Sequence, residues 1–385
     1  MSITVSDCSS REEALRRFLH VIDEQSERVQ ATKNKLEKIY RFQTPSEPFF
    51  SYDIQDGHAY QPSSWVSDRC EYKLDTAMQR IMYNLRALPQ ADFLPVLSAH
   101  PGDGGGAGGV AFFPILFGGR YEITSGGAFL PRFYLVRDLV RDIDRLPEID
   151  ITRCNSVQEA LEDTQRLIEY TRGKVCIGYP YMQGCLNNAY RFMDQQQMLM
   201  ACIEAKQHMR RLLMRIYRVR SSITRAVRGL VGNDELLRIR GHHPAWVRGL
   251  VVDDYISVVG PEDYYDVCCE VWQAMHDESG PIYLHTCGPI SQCVGIYRRL
   301  PGLLASEFVY AEKQQKTTHQ VAALKHELDR KTVLYSLGLP TQKVVDDMEN
   351  LTPEWLRQMS AGGGFMLNGC GSLEEGRALV ARLEL

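Results

Sequence analysis

Apolar residues along this chain gather in seven short runs, at 93–100, 175–181, 249–255, 281–288, 303–310, 332–338 and 364–371. Most are followed by a longer stretch in which apolar residues recur every three or four positions. Short, nearly continuous apolar runs predict strands buried on both faces, and the amphipathic stretches between them predict helices. Start signals support those helices. Pro261, Glu262 and Asp263 follow Gly260, and Pro353 and Glu354 follow Thr352, which places proline and acids in a first turn. Strand and helix in alternation predict a parallel sheet covered by helices. Seven strands, with an eighth expected in the glycine-rich 104–127 region, predict an α/β (β/α)8 TIM barrel. A doubly wound open sheet is the alternative.

The first 90 residues break this rhythm. Leu15, Phe18, Leu19 and Ile22 fall at helical spacing among many charges, and 44–68 is irregular and rich in Pro, Ser, Tyr and His. We therefore divide the chain into an N-terminal helical extension, 1–90, and a barrel, 91–385. The run GDGGGAGG at 102–109 follows a strand as a dinucleotide-binding loop would. Phe112, Phe113 and Pro114 come next, where a helix would have to open, so the run reads as a βα loop.

Composition narrows the function classes. The 385 residues carry a formal net charge of −4, so nothing global attracts a phosphate backbone, and no nucleic-acid partner is expected. One basic stretch stands out: Arg210, Arg211, Arg215, Arg218, Arg220, Arg225 and Arg228 share a helix with the apolar line Leu212, Ile216, Val219 and Ile223. It reads as a solvated helix face, with docking of an acidic partner as the alternative. No run approaches the ~18 apolar residues of a membrane span, and no apolar leader precedes residue 25, so a cytoplasmic protein without membrane association is expected. Eleven cysteines without a C-x2-C pair point to reduced thiols rather than a disulfide framework or zinc finger. Cys268 and Cys269 read as packing residues.

In a barrel, chemistry belongs at the C-terminal ends of strands. The run at 281–288 ends in His285-Thr286-Cys287, and strand alternation puts His285 and Cys287 on one side. Glu307 lies near the end of the run at 303–310, and Cys370 closes the run at 364–371. Imidazole and two thiolates are zinc donors, and three protein ligands plus one exchangeable position is the usual catalytic pattern. An electron-rich zinc of this kind activates water poorly and holds a substrate thiol as thiolate well. His-x-Cys also arises on strands that bind no metal. Other strand ends supply further candidates. Asp254 is the candidate catalytic carboxylate, able to orient His285 or cap a helix. His100, Tyr179, Tyr181 and Asp253 are candidate substrate contacts. His242 and His243 precede a strand and read as structural.

From about residue 85 onward the chain resembles the superfamily of uroporphyrinogen decarboxylase and cobalamin-independent methionine synthase, in its zinc methyltransferase branch. The residues that carry the resemblance are His285 and Cys287 in YLHTCGP and Cys370 in LNGCGS. Glu307 stands where methionine-synthase-type members place a glutamate ligand. Asp253-Asp254 followed by Pro261-Glu262 is similar to the family's Asp pair and Ser-Pro-Glu helix start, with Gly260 in place of Ser. The segment at 178–194 is also similar to one that lies over the substrate in that superfamily. The arginine-rich motif that grips porphyrinogen carboxylates is absent from the sequence. The resemblance implies a Zn2+ site of His285, Cys287, Cys370 and Glu307. It also implies methyl transfer between a corrinoid (cobalamin) protein or other donor and a small-molecule thiol. A metal-free decarboxylase or lyase and a non-catalytic barrel subunit are the alternative readings, and a homodimer is an open assembly state.

Overall fold

The computed structural model describes residues 8–385 except 55–61, 98–106, 124–128, 132, 180–181, 240, 289, 310–317, 338 and 341–350. His100, Tyr181 and part of the glycine-rich run lie outside the described residues.

All seven apolar runs form strands: Val96–Leu97, Cys176–Gly178, Gly249–Val252, Ile282–His285, Leu303–Val309, Val333–Leu337 and Phe365–Gly371. The last five lie side by side in chain order, every pairing parallel. The strand beyond Phe365–Gly371 is Phe50–Ile54, which pairs in parallel with it and sets Asp53 opposite Cys370. The segment expected as a purely helical extension thus contributes a strand to the main sheet. A second parallel sheet holds Val96–Leu97, Cys176–Gly178 and the short Leu237–Arg238. Backbone bonds from segments flanking the second sheet reach the two outer strands of the first. Asp92 N donates to Phe50 O at 2.5 Å, and Gly184 N donates to Val252 O at 2.9 Å.

Among the described residues of 104–127, none forms a strand of either parallel sheet. Ala107–Leu116 is a helix, with Ala111, Phe112 and Phe113 buried. A helix apolar on all sides is stable only when enclosed, and Phe117 meets Phe192 edge-on at 5.2 Å. Pro114 sits two residues from its end. Tyr121–Ile123 and Phe129–Pro131 then form a separate antiparallel pair.

The strands alternate between two apolar clusters, which is why they read as continuous apolar runs. Leu250, Val252, Tyr283, Ala305, Val333, Tyr335 and Met366 belong to one cluster, together with Phe18, Leu36, Ile39 and Tyr40 of the N-terminal helices Arg11–Glu24 and Ser26–Tyr40. Val251, Ile282, Leu284, Leu334, Phe365 and Leu367 belong to the other, against Leu212, Ile216, Val219 and Ile223 of the helix Lys206–Val231. Each of those four helix side chains is buried, a contribution of roughly 1.5–3 kcal/mol apiece. The basic face of that helix is engaged within the chain. Arg211 pairs with Asp144, Arg225 with Glu278 and Arg228 with Asp234, while Arg215 reaches the carbonyls of Ile143 and Leu146. Among the described residues no helix is long and apolar enough to cross a membrane.

Candidate metal centre

Three side chains meet where two adjacent strands end. Val252 pairs with His285, so the residues after each strand leave the sheet together. Asp254 accepts a hydrogen bond from Cys287 N at 2.6 Å, and Cys287 Sγ lies 3.6 Å from His285 Nε2. One carboxylate oxygen, one ring nitrogen and the sulfur of these residues all lie within 4.8 Å of one another. Cys287 is exposed, His285 is 9 % exposed, and the cluster therefore opens to solvent on the sulfur side. Gly288 follows because the chain runs hard against Ser257, whose Oγ would overlap any Cβ there.

Beneath the cluster sits Glu307, fully buried on Leu303–Val309. Its carboxylate meets His285 Nδ1 on one oxygen and the Tyr283 hydroxyl on the other. Glu307, expected as a fourth ligand or a displaced neighbour of the ion, thus lies behind His285. Both oxygens face protein partners, and the bond to Nδ1 fixes the imidazole so that Nε2 points to Cys287. A carboxylate behind a ligating histidine is a recurrent way to orient the ring and raise its basicity. One layer deeper, His242 stacks on Tyr335 at 3.8 Å between ring centres, His243 packs on Tyr283 at 4.1 Å, and Tyr40 OH meets His243 Nδ1. His242 and His243 are structural, as expected, but they support the site's floor.

The adjacent aspartates divide the labour. Asp254 faces the cluster and is gripped by Asn187, whose Nδ2 donates to Asp254 Oδ2 at 3.1 Å while Asn187 Oδ1 accepts from Asp254 N at 3.0 Å. Asp253 is wholly buried and accepts from Leu186 N, Asn187 N, Tyr255 N and Tyr264 OH. It fastens the start of the helix Cys185–Phe192, and burial pushes its carboxyl up to about 7. Asp253 also lies near the buried thiols Cys185 and Cys268, and burial raises Cys268 well above its ordinary range. For Cys268 that favours a neutral thiol and packing.

Cys370 ends its strand beside Asp53, half-buried, outside the Asp254–His285–Cys287 group. Burial, with Asp53 and then Glu375 nearby, holds its thiol above the usual range. Arg80 donates to Asp53 at 2.6 Å on the same rim. Tyr179, expected as a pocket-lining residue at another strand end, is buried away from this cluster and lines a small cavity with Arg220, Arg248 and Glu278.

Sequence reasoning missed Asn187 and Tyr283. Alternation alone put Tyr283 on the face of His285 and Cys287. Asn187 carried no comparable signal, since its role depends on how the helix Cys185–Phe192 meets the end of a strand 65 residues later.

One imidazole nitrogen, one thiolate and one carboxylate are donors that zinc accepts, and the exposed side leaves room for an exchangeable ligand. The residues fit a divalent ion. No protein-family model matches this chain, and no curated protein matches it.

Proposed function

We propose that the chain closes into a (β/α)8 barrel and acts as a zinc-dependent methyltransferase that alkylates a thiol. Closure is supported by the parallel strands from Gly249 round to Phe50 and by the backbone bonds from Asp92 and Gly184, beside the second sheet, to the two outer strands of the first. The observation that carries the function is the approach of Cys287 Sγ to His285 Nε2 beside the Asp254 carboxylate, at adjacent strand ends.

In this reading His285, Cys287 and Asp254 hold the ion, with Cys370 the remaining donor implied by the family resemblance. A bound zinc supplies electrostatic stabilisation of a substrate thiolate at neutral pH. Glu307 keeps the His285 ring oriented, Asn187 keeps Asp254 turned toward Cys287, and the exposed sulfur side admits the acceptor. The thiolate sulfur then forms a bond to the donor's methyl carbon while the donor keeps the electron pair of the bond that breaks. The donor is a methylated corrinoid on a partner protein.

A second reading is favoured by two of these residues together with Glu307. Cys287, His285 and Glu307 form the nucleophile, base and orienting acid of a thiol hydrolase. One feature weighs against it: the Asp254 carboxylate occupies the Cys287 N–H that would otherwise serve an oxyanion.

The test is methyl transfer from a methylated corrinoid to small thiols by metal-depleted protein before and after zinc is restored. Transfer that returns with zinc supports the reading. Thiol-dependent ester hydrolysis that is indifferent to chelator supports the hydrolase instead.

A further inference from the structure

A second polar site lies away from the metal cluster, between the helix Lys206–Val231 and the beginning of the strand Gly249–Val252. Here a cavity of ≈ 20 Å³ is lined by Tyr179, Arg220, Ser221, Arg248 and Glu278 among others. A volume of this size holds one particle of about the size of water.

The balance of donors and acceptors around it is uneven. Tyr179 is 5 % exposed, and its hydroxyl has no hydrogen-bond partner among the described residues; neither has Arg248 Nε. Arg220 is 8 % exposed and donates to Leu250 O. The acceptors are already engaged. Glu278 takes Tyr217 OH at 2.7 Å, Ser221 Oγ at 2.6 Å and Arg225 at 3.5 Å, and Asp234 takes both Arg228 and Arg248.

Burying a guanidinium without a carboxylate bonded to it is costly, and burial lowers Arg220 to about 10. An unbonded buried hydroxyl adds to that cost. Both deficits are of one kind, an excess of donors and of positive charge. We propose that this cavity binds a single small anion, chloride, received by the Tyr179 hydroxyl, Arg248 Nε and the Arg220 guanidinium. Because Arg220 grips Leu250 on the strand that leads to Asp254, the ion pins the helix Lys206–Val231 to that strand. The proposal is independent of the zinc chemistry.

The experiment compares thermal unfolding of the full chain in sodium chloride and in sodium gluconate at equal ionic strength. Chloride should raise the midpoint by about 2 °C. Tyr179→Phe removes one oxygen from the cavity wall, and in it the two salts should give the same midpoint. Crystals grown with bromide should carry an anomalous peak between Tyr179 and Arg220. Equal midpoints in the two salts for the native chain, or water without anomalous signal at that position, would overturn the proposal.

Discussion

Glu307 and His285 lie on neighbouring parallel strands, and the buried carboxylate of one holds Nδ1 of the other, leaving Nε2 to face Cys287. The orientation of the His285 ring is thus set from inside the apolar core. Glu307→Ala leaves Tyr283 OH and His285 Nδ1 without this partner. We expect zinc affinity, measured by chelator competition, to fall 10–100-fold. Glu307→Gln, which keeps one acceptor oxygen, should recover part of the loss. Unchanged affinity in the alanine variant would mean the ring is oriented by something else.

Which third donor matters is decided by comparing Asp254→Asn with Cys370→Ser. The geometry puts Asp254 in the cluster and Cys370 outside it. Asp254→Asn should therefore weaken zinc at least tenfold more than Cys370→Ser. The reverse order would make Cys370 the ligand, as in the resembled family, and Asp254 its neighbour.

Gly184→Ala tests how the helix Cys185–Phe192 is seated. A Cβ at 184 would lie 2.7 Å from Val251 Cγ1 and 2.9 Å from Val252 N, and the second of these is backbone that cannot step aside cheaply. A loss of about 1–3 kcal/mol in urea unfolding is expected. Zinc affinity should fall as well, since Asn187 moves with the helix. Lost stability with intact zinc binding would uncouple Asn187 from Asp254.

At the seam between the two sheets, Asp92 Oδ2 accepts from Phe50 N at 3.0 Å and Lys35 Nζ at 2.9 Å. Burial outweighs Lys35 and raises the Asp92 carboxyl above its ordinary value. The folded chain then keeps this proton to higher pH than the unfolded chain, whose carboxyl titrates near 3.9. This group's contribution to stability accordingly declines as pH rises from about 4 through the folded-state value. Asp92→Asn should flatten that part of a plot of urea midpoint against pH. An unchanged slope would place the titration elsewhere.

Much of this was legible in the sequence because it depends on local pattern. The seven strands follow from apolar runs that pack on both faces, and the shared side of His285 and Cys287 follows from a two-residue period. The basic face of Lys206–Val231 was also readable as a face, although its arginines turned out to be engaged within the chain. What escaped depends on distant pairing. Phe50–Ile54 alternates apolar Phe50, Tyr52 and Ile54 with polar Ser51 and Asp53, but it is only five residues inside an irregular stretch, and the edge it pairs with, Phe365–Gly371, lies at the other end of the chain. Two adjacent aspartates looked alike in sequence, yet the turn after Val252 buries Asp253 under a helix start and faces Asp254 toward Cys287. Glu307 was singled out as a fourth ligand or a displaced neighbour, and spacing could not choose between them, because ligand and ligand-orienting carboxylates share one spacing and differ only in depth.

The central claim is that Cys287 and His285 hold a metal ion, and elemental analysis tests it most directly. Protein purified without chelator or affinity-metal resin should contain close to one zinc per chain, and Cys287→Ser prepared in parallel should contain almost none. A native chain free of metal, or equal zinc in both proteins, would contradict the account.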